Sequence, residues 1–240
     1  MKIITDNKVL PKPALMTIAT LGWAFLLYMA WVILNDSIVR TGFSIAVLQG
    51  KVPLEINPFI DRYTANPLQT IGHCVSGVIF AVLGPLQFAA PLRRKFPKAH
   101  RISGRIFLPV ALVSGVFGLT MSVSFPMFGY SYNQLIGVVA SLLMIFAFVH
   151  AFRLVRQRRF AEHREWMMRG FAIGMGVALF RVLLNDVLQP MGMSFMDSWN
   201  VVTAISFPAT LGAAEIWIRL TRPKKRSVGE AVPPGVQPQA

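Results

Sequence analysis

The feature that most limits this chain is a set of six apolar runs, each close to the length that crosses a bilayer. They cover residues 14–35, about 68–92, about 102–126, about 133–153, about 166–188 and about 199–219. A helix rises 1.5 Å per residue, so roughly 20 apolar residues cross about 30 Å of hydrocarbon. In that medium each backbone N–H and C=O needs a partner within its own segment, and a helix supplies one. The chain is 54% hydrophobic and 14% charged, whereas roughly a quarter of residues are charged in a soluble domain. The runs therefore predict an all-α membrane protein of six transmembrane helices, a bundle with helices 2–5 as a four-helix core.

Charge sets the orientation. Of the 24 lysines and arginines, 20 fall on one side when the six runs are threaded alternately. The other side keeps Arg40, Lys51 and Arg62, and Arg181 lies within a run. Basic residues collect on the cytoplasmic side of multi-pass proteins. Both termini are thus expected in the cytoplasm, for a protein of the cell inner membrane. The net charge of +14 belongs to this collar and not to a nucleic-acid surface. Its expected partners are anionic lipid headgroups, which attract such residues by about 1 kcal/mol each.

The organisation is a single membrane domain, 14–222, between a cytoplasmic tail, 1–13, and a Pro/Gly-rich cytoplasmic tail, 223–240, expected to be disordered. No cleavage site follows the first run, which reads as an uncleaved helix. Residues 36–67 are too polar to span and are expected outside, with a short helix at about 43–50 on the membrane surface. Tyr130, Tyr132 and Trp199 suit the headgroup zone of the outer loops. Cys74 is the one cysteine, which excludes an internal disulfide and a thiolate metal site.

Two segments repeat a phrase: "KFPKAHRISGRIF" at 95–107 and "RRFAEHREWMMRGF" at 158–171. Each places His-Arg at the start of an apolar run, so His100 and His163 open two parallel helices at one depth. His150 lies near the inner end of the helix between them. With Arg101, Arg105, Arg169 and Glu215 these form an inner polar group. An outer group comprises His73, Arg181 and Asp186. His163 and Arg181 are five helical turns apart on one stripe, with Gly170 and Gly174 between them. Arg181 and Asp186, five residues apart, are off-register as a facing pair, so a partner from another helix is expected for Arg181.

Ionisable side chains inside a span are expensive and mark function more often than chance. One reading is a membrane redox protein holding a b-type haem. His100 and His163 would ligate the iron, with His150 beside them, Arg101, Arg105 and Arg169 near the propionates, and the glycines making room for the flat ring. In that reading His73, Arg181 and Asp186 line an outer pocket for a quinone, small molecule or redox partner. Zinc on these histidines and Glu215 lacks any HExxH-like spacing. The alternative is a non-enzymatic protein without haem that binds lipid or a small molecule, or serves transport or assembly. In it the His-Arg pairs anchor the helices or hold anionic headgroups.

Four strings, "HCVSGVIFAVLGPLQF", "HRISGRIF", "HREWMMRGFAIG" and "AAEIWIR", occur in order between about 68 and 219. On them the chain resembles a family of bacterial predicted membrane proteins, domain of unknown function 2306. That resemblance implies a polytopic membrane protein and no reaction. More distantly the core is similar to cytochrome b561 and ferric reductase membrane domains, which implies haem between parallel helices. It would pair His100 with His163; helix 4 has no outer histidine to match His73.

Overall fold

The computed structural model describes residues 11–51, 66–124 and 131–222. Among these every long element is helical: α1 (Lys12–Leu48), α2 (Pro67–Phe88), the short α3 (Ala90–Lys95), α4 (Pro97–Ser124), α5 (Ser131–Arg156), α6 (Phe160–Val182) and α7 (Phe195–Thr221). A π-helical stretch, Leu183–Leu188, continues α6. Six of the helices are long and apolar enough to cross a membrane. The expectations for 1–10, 52–65, 125–130 and 223–240, Tyr130 included, lie outside the described residues.

Local chemistry sets several boundaries. Proline occupies the first turn of α1, α2 and α3, where its missing N–H breaks no helical bond. Ser194 caps α7 by accepting from the Asp197 amide at 3.2 Å. Gly50, with φ of 67°, ends α1 in the left-handed conformation that glycine adopts most readily.

The first helix departs from expectation. It runs for 37 residues without a break, roughly 55 Å, so residues 36–48 continue the span and form no separate surface helix. The polarity that reads as the end of a span is neutralised within it. Arg40 Nε donates to Asp36 Oδ2 at 2.7 Å, one helical turn away. No glycine with a positive φ or proline interrupts the helix before Gly50.

The centre of the bundle takes one phenylalanine from each of α2, α4, α5 and α6. Phe80 lies 5.3 Å from Phe107 and 5.1 Å from Phe171, and Phe107 lies 5.7 Å from Phe148, centroid to centroid. All four are almost fully buried. Apolar side chains gain little from leaving lipid, so close packing carries the association, and each aromatic pair adds about 0.5–1.5 kcal/mol. Glycines admit the rings. A Cβ at Gly174 would stand 2.5 Å from Phe80 Cζ and one at Gly170 3.0 Å from Phe148 Cζ, while one at Gly84 would overlap the Phe171 ring. α1 packs against α2 and α6, and α7 packs on the outside of α6.

The five helices α2 and α4–α7 alternate in direction. The end where α2 finishes and α4 begins carries the exposed Arg93, Arg94, Lys95, Lys98, Arg153, Arg156, Arg158 and Arg159. We refer to it as the basic end, and to the opposite one as the pocket end.

Candidate functional site

At the pocket end a cavity of about 230 Å³ opens between the helices, and all six spans line it. Its inner limit is apolar: Phe80, Met144, Ile173 and Gly174 mark the edge of the aromatic core. One wall is polar. Asp36 and Arg40 come from α1, His73 from α2 and Arg181 from α6. Arg181 Nη1 stands 3.0 Å from Asp36 Oδ1, and Arg40 holds the other carboxylate oxygen. One carboxylate thus joins two arginines from two helices, with only part of each side chain exposed.

His73 is the residue without a full set of partners. Its ring nitrogen Nδ1 is buried and bonded to nothing. A buried polar atom left unpaired costs about 1–3 kcal/mol. Space is available beside it. Gly77 lines the cavity one helical turn along α2, and a Cβ built there meets no atom within 4 Å.

The structure brings His73 and Arg181 into one wall. Asp186 stands elsewhere: it is exposed, accepts from the Tyr28 hydroxyl at 2.7 Å and is not among the lining residues. Arg181 finds its partner on another helix, as its spacing from Asp186 predicts. Asp36 and Arg40 escaped the sequence reading because they sit in the stretch assigned to the outside. Their signal was the four-residue spacing of opposite charges within an otherwise apolar run. Trp199, expected in the headgroup zone, is 6% exposed, packs edge-on against Phe180 and lines the cavity. A tryptophan one turn inside a helix start cannot be told from an interfacial one by position alone.

A family model described as a predicted membrane protein, DUF2306, matches residues 70–218. The chain belongs to the DUF2306 family. The match covers α2 to α7 and so includes His73 and Arg181, while Asp36 and Arg40 on α1 lie before it. No curated protein and no solved structure matches the chain, so the wider likeness to cytochrome b561 and ferric reductase domains gains no support from these comparisons.

At the basic end of this DUF2306 protein, His100 lies in the first turn of α4 and His163 in the first turn of α6. His163 Nδ1 lies 2.8 Å from the Ala151 carbonyl of α5, which orients the ring and leaves Nε2 as its other face. His150 packs parallel to Phe146 and edge-on to Trp166. The surroundings do not fit a haem. The glycine stripe expected to floor a macrocycle faces Phe148 at Gly170 and Phe80 at Gly174, so the interhelical space is filled by the protein's own rings. The expected propionate partners are turned elsewhere. Arg101 and Arg105 are exposed, and Arg169 is taken by Glu215, with Nη2 to Oε2 at 3.3 Å, and lies over the Trp166 ring at 4.8 Å. Glu215 therefore serves Arg169 and not the histidines. Among the described residues no group of three or more His, Cys, Asp or Glu side chains is placed to hold a metal ion.

The charges of the second His-Arg phrase lock α6 to α7. Arg222 donates twice to Glu165, at 2.8 and 2.7 Å, and that carboxylate raises the guanidinium pKa still further. Arg164 Nη2 reaches the Thr221 hydroxyl at 3.3 Å. Two of its ionisable residues, Glu165 and Arg169, thus have a structural role that the sequence motif alone does not reveal.

Proposed function

We propose that this protein binds a lipid-soluble small molecule in the cavity at the pocket end, as a carrier or binding protein of the cell inner membrane with its basic end in the cytoplasm. The observation that carries the proposal is a cavity lined by all six spans in which His73 stands beside the Asp36–Arg181 pair within an otherwise mostly apolar wall. Ligand sites are concave and mostly apolar with a few convergent polar groups, and this cavity has that composition. The ligand's body would lie against Phe80, Met144 and Phe207, and its polar edge against His73. The basic collar at the opposite end supports the orientation, through attraction to anionic headgroups.

The experiment compares wild type with Gly77→Leu, both purified from the same membranes. A Cβ at this position meets nothing within 4 Å, and the rest of the leucine is placed to fill the cavity that Gly77 lines. Solvent extracts of the two proteins, analysed by mass spectrometry, should differ by a lipophile present at near-stoichiometric amount in wild type and absent from the variant. Identical extracts would refute the proposal.

A further inference from the structure

We infer that the corner of the basic end formed by α3 and the first turns of α4 is a docking site for an anionic phospholipid, which it holds by the phosphate with the acyl chains along α4. This site is separate from the cavity, which lies at the opposite end, and does not depend on what the cavity binds.

Basic residues collect at one end of a multi-pass protein as topology requires, but the two halves of this end are not alike. On the α6–α7 side the cations meet the chain's own acids: Arg159 donates to Glu162, Arg222 to Glu165 and Arg169 to Glu215. On the other side there is nothing to meet, because no aspartate or glutamate occurs from Arg62 to Ala161. Residues 93–105 nevertheless hold six cations, Arg93, Arg94, Lys95, Lys98, Arg101 and Arg105, all of them exposed. Among the described residues none of the six enters an ion pair, and Glu162, Glu165 and Glu215 are engaged by other arginines. Like charges gathered in this way repel one another, so the anion that balances them comes from outside the chain.

The layout of the charge says what kind of anion fits. Lys98, Arg101 and Arg105 are three and four residues apart and form one stripe on α4. Ile102, Val113 and Val116 continue that stripe toward the pocket end and are exposed as well. Arg105 stands eight residues into α4, about 12 Å from its start. Residues 106–123 beyond it contain no ionisable group, over a length of about 27 Å. A soluble anion would engage the cations alone. A phospholipid matches both parts of the stripe, phosphate against guanidinium and acyl chain against the apolar length, and two arginines one turn apart suit the bidentate contacts that arginine makes with phosphate.

The test reconstitutes the full chain in phosphatidylcholine vesicles carrying a trace of spin-labelled phosphatidylglycerol or spin-labelled phosphatidylcholine. Electron paramagnetic resonance reads the motionally restricted fraction of each label. Wild type should hold phosphatidylglycerol about fivefold more strongly than phosphatidylcholine. Arg101→Gln/Arg105→Gln should at least halve that ratio, whereas Arg153→Gln/Arg156→Gln, the same loss of charge on α5, should change it little. Equal loss in the two variants would overturn the site in favour of a diffuse collar, and no preference in wild type would overturn it outright. Inorganic phosphate should displace the label no better than chloride at equal ionic strength; better displacement would overturn the lipid as occupant. Arg93→Gln/Arg94→Gln on α3 should also lower the ratio, and decides the matter if the α4 variant does not fold.

Discussion

Arg181 on α6 meets Asp36 on α1 at 3.0 Å, across the polar wall of the cavity. The contact links the one span outside the family match to α6, ten of whose residues are buried. Polar contacts between helices in lipid have few competitors, since no water stands ready to replace either partner. This pair both closes the wall and positions α1.

Its energetic role is measurable by a double-mutant cycle. Arg181→Gln and Asp36→Asn should each lower the thermal stability of the detergent-purified protein. The combined variant should lose less than the sum, with a coupling of about 0.5–3 kcal/mol. Strict additivity would show that the two side chains touch without stabilising one another.

The glycine–phenylalanine contacts should be intolerant of a single methyl group. Gly84→Ala drives a Cβ into the Phe171 ring, which is itself packed against Phe80 and Phe88. Such overpacking costs about 1–3 kcal/mol. Phe171→Leu should restore part of that loss, and Gly22→Ala, which meets nothing within 4 Å, should change stability by less than about 0.5 kcal/mol. Denaturation of the three variants in parallel checks the order.

Protein purified from haem-replete cells should show no Soret band in its visible spectrum. Phe80, Phe107, Phe148 and Phe171 occupy the space a macrocycle would need, and no side chain of that size leaves a packed core without disturbing the rest. A band at one haem per chain would mean that these rings rearrange around His100 and His163.

Orientation can be read from a chain with one thiol at a time. In a Cys74→Ser background, Lys51→Cys near the pocket end and Arg158→Cys at the turn between α5 and α6 both lie on exposed positions. A membrane-impermeant maleimide added to intact spheroplasts should label Lys51→Cys alone. Labelling of Arg158→Cys alone would place the basic end outside.

The α6–α7 clamp makes a further quantity available. Glu215→Gln keeps an acceptor for Arg169 but removes the charge, and hydrogen bonds to charged groups contribute about 1.5–3 kcal/mol. A stability loss in that range, measured by thermal unfolding, is expected. The reverse, a more stable Glu215→Gln protein, would show that burying the ion pair costs more than it returns.

The sequence by itself determined the six spans, the all-helical class, the concentration of basic residues at one end and the placing of glycines towards the interior. These properties are local. A run of apolar residues meets lipid wherever it lies, and its length alone decides whether it can cross. Only the tertiary structure decided that α1 continues through Asp36 and Arg40, since a charge pair is tolerated in a span once Arg181 of a distant helix completes it. The same holds for the glycines at 84, 170 and 174. Their spacing shows that something approaches closely, but whether it is a cofactor or a phenylalanine depends on side chains far away in the chain, such as Phe80 opposite Gly174. His73 was legible as an ionisable residue in a span. Its value to the site came from what surrounds it: the cavity that it lines and the Asp36–Arg181 pair in the same wall. Composition and period decide which segments enter the membrane, because that choice is made against solvent; which polar groups meet inside is decided by packing between helices, and no single segment carries that information.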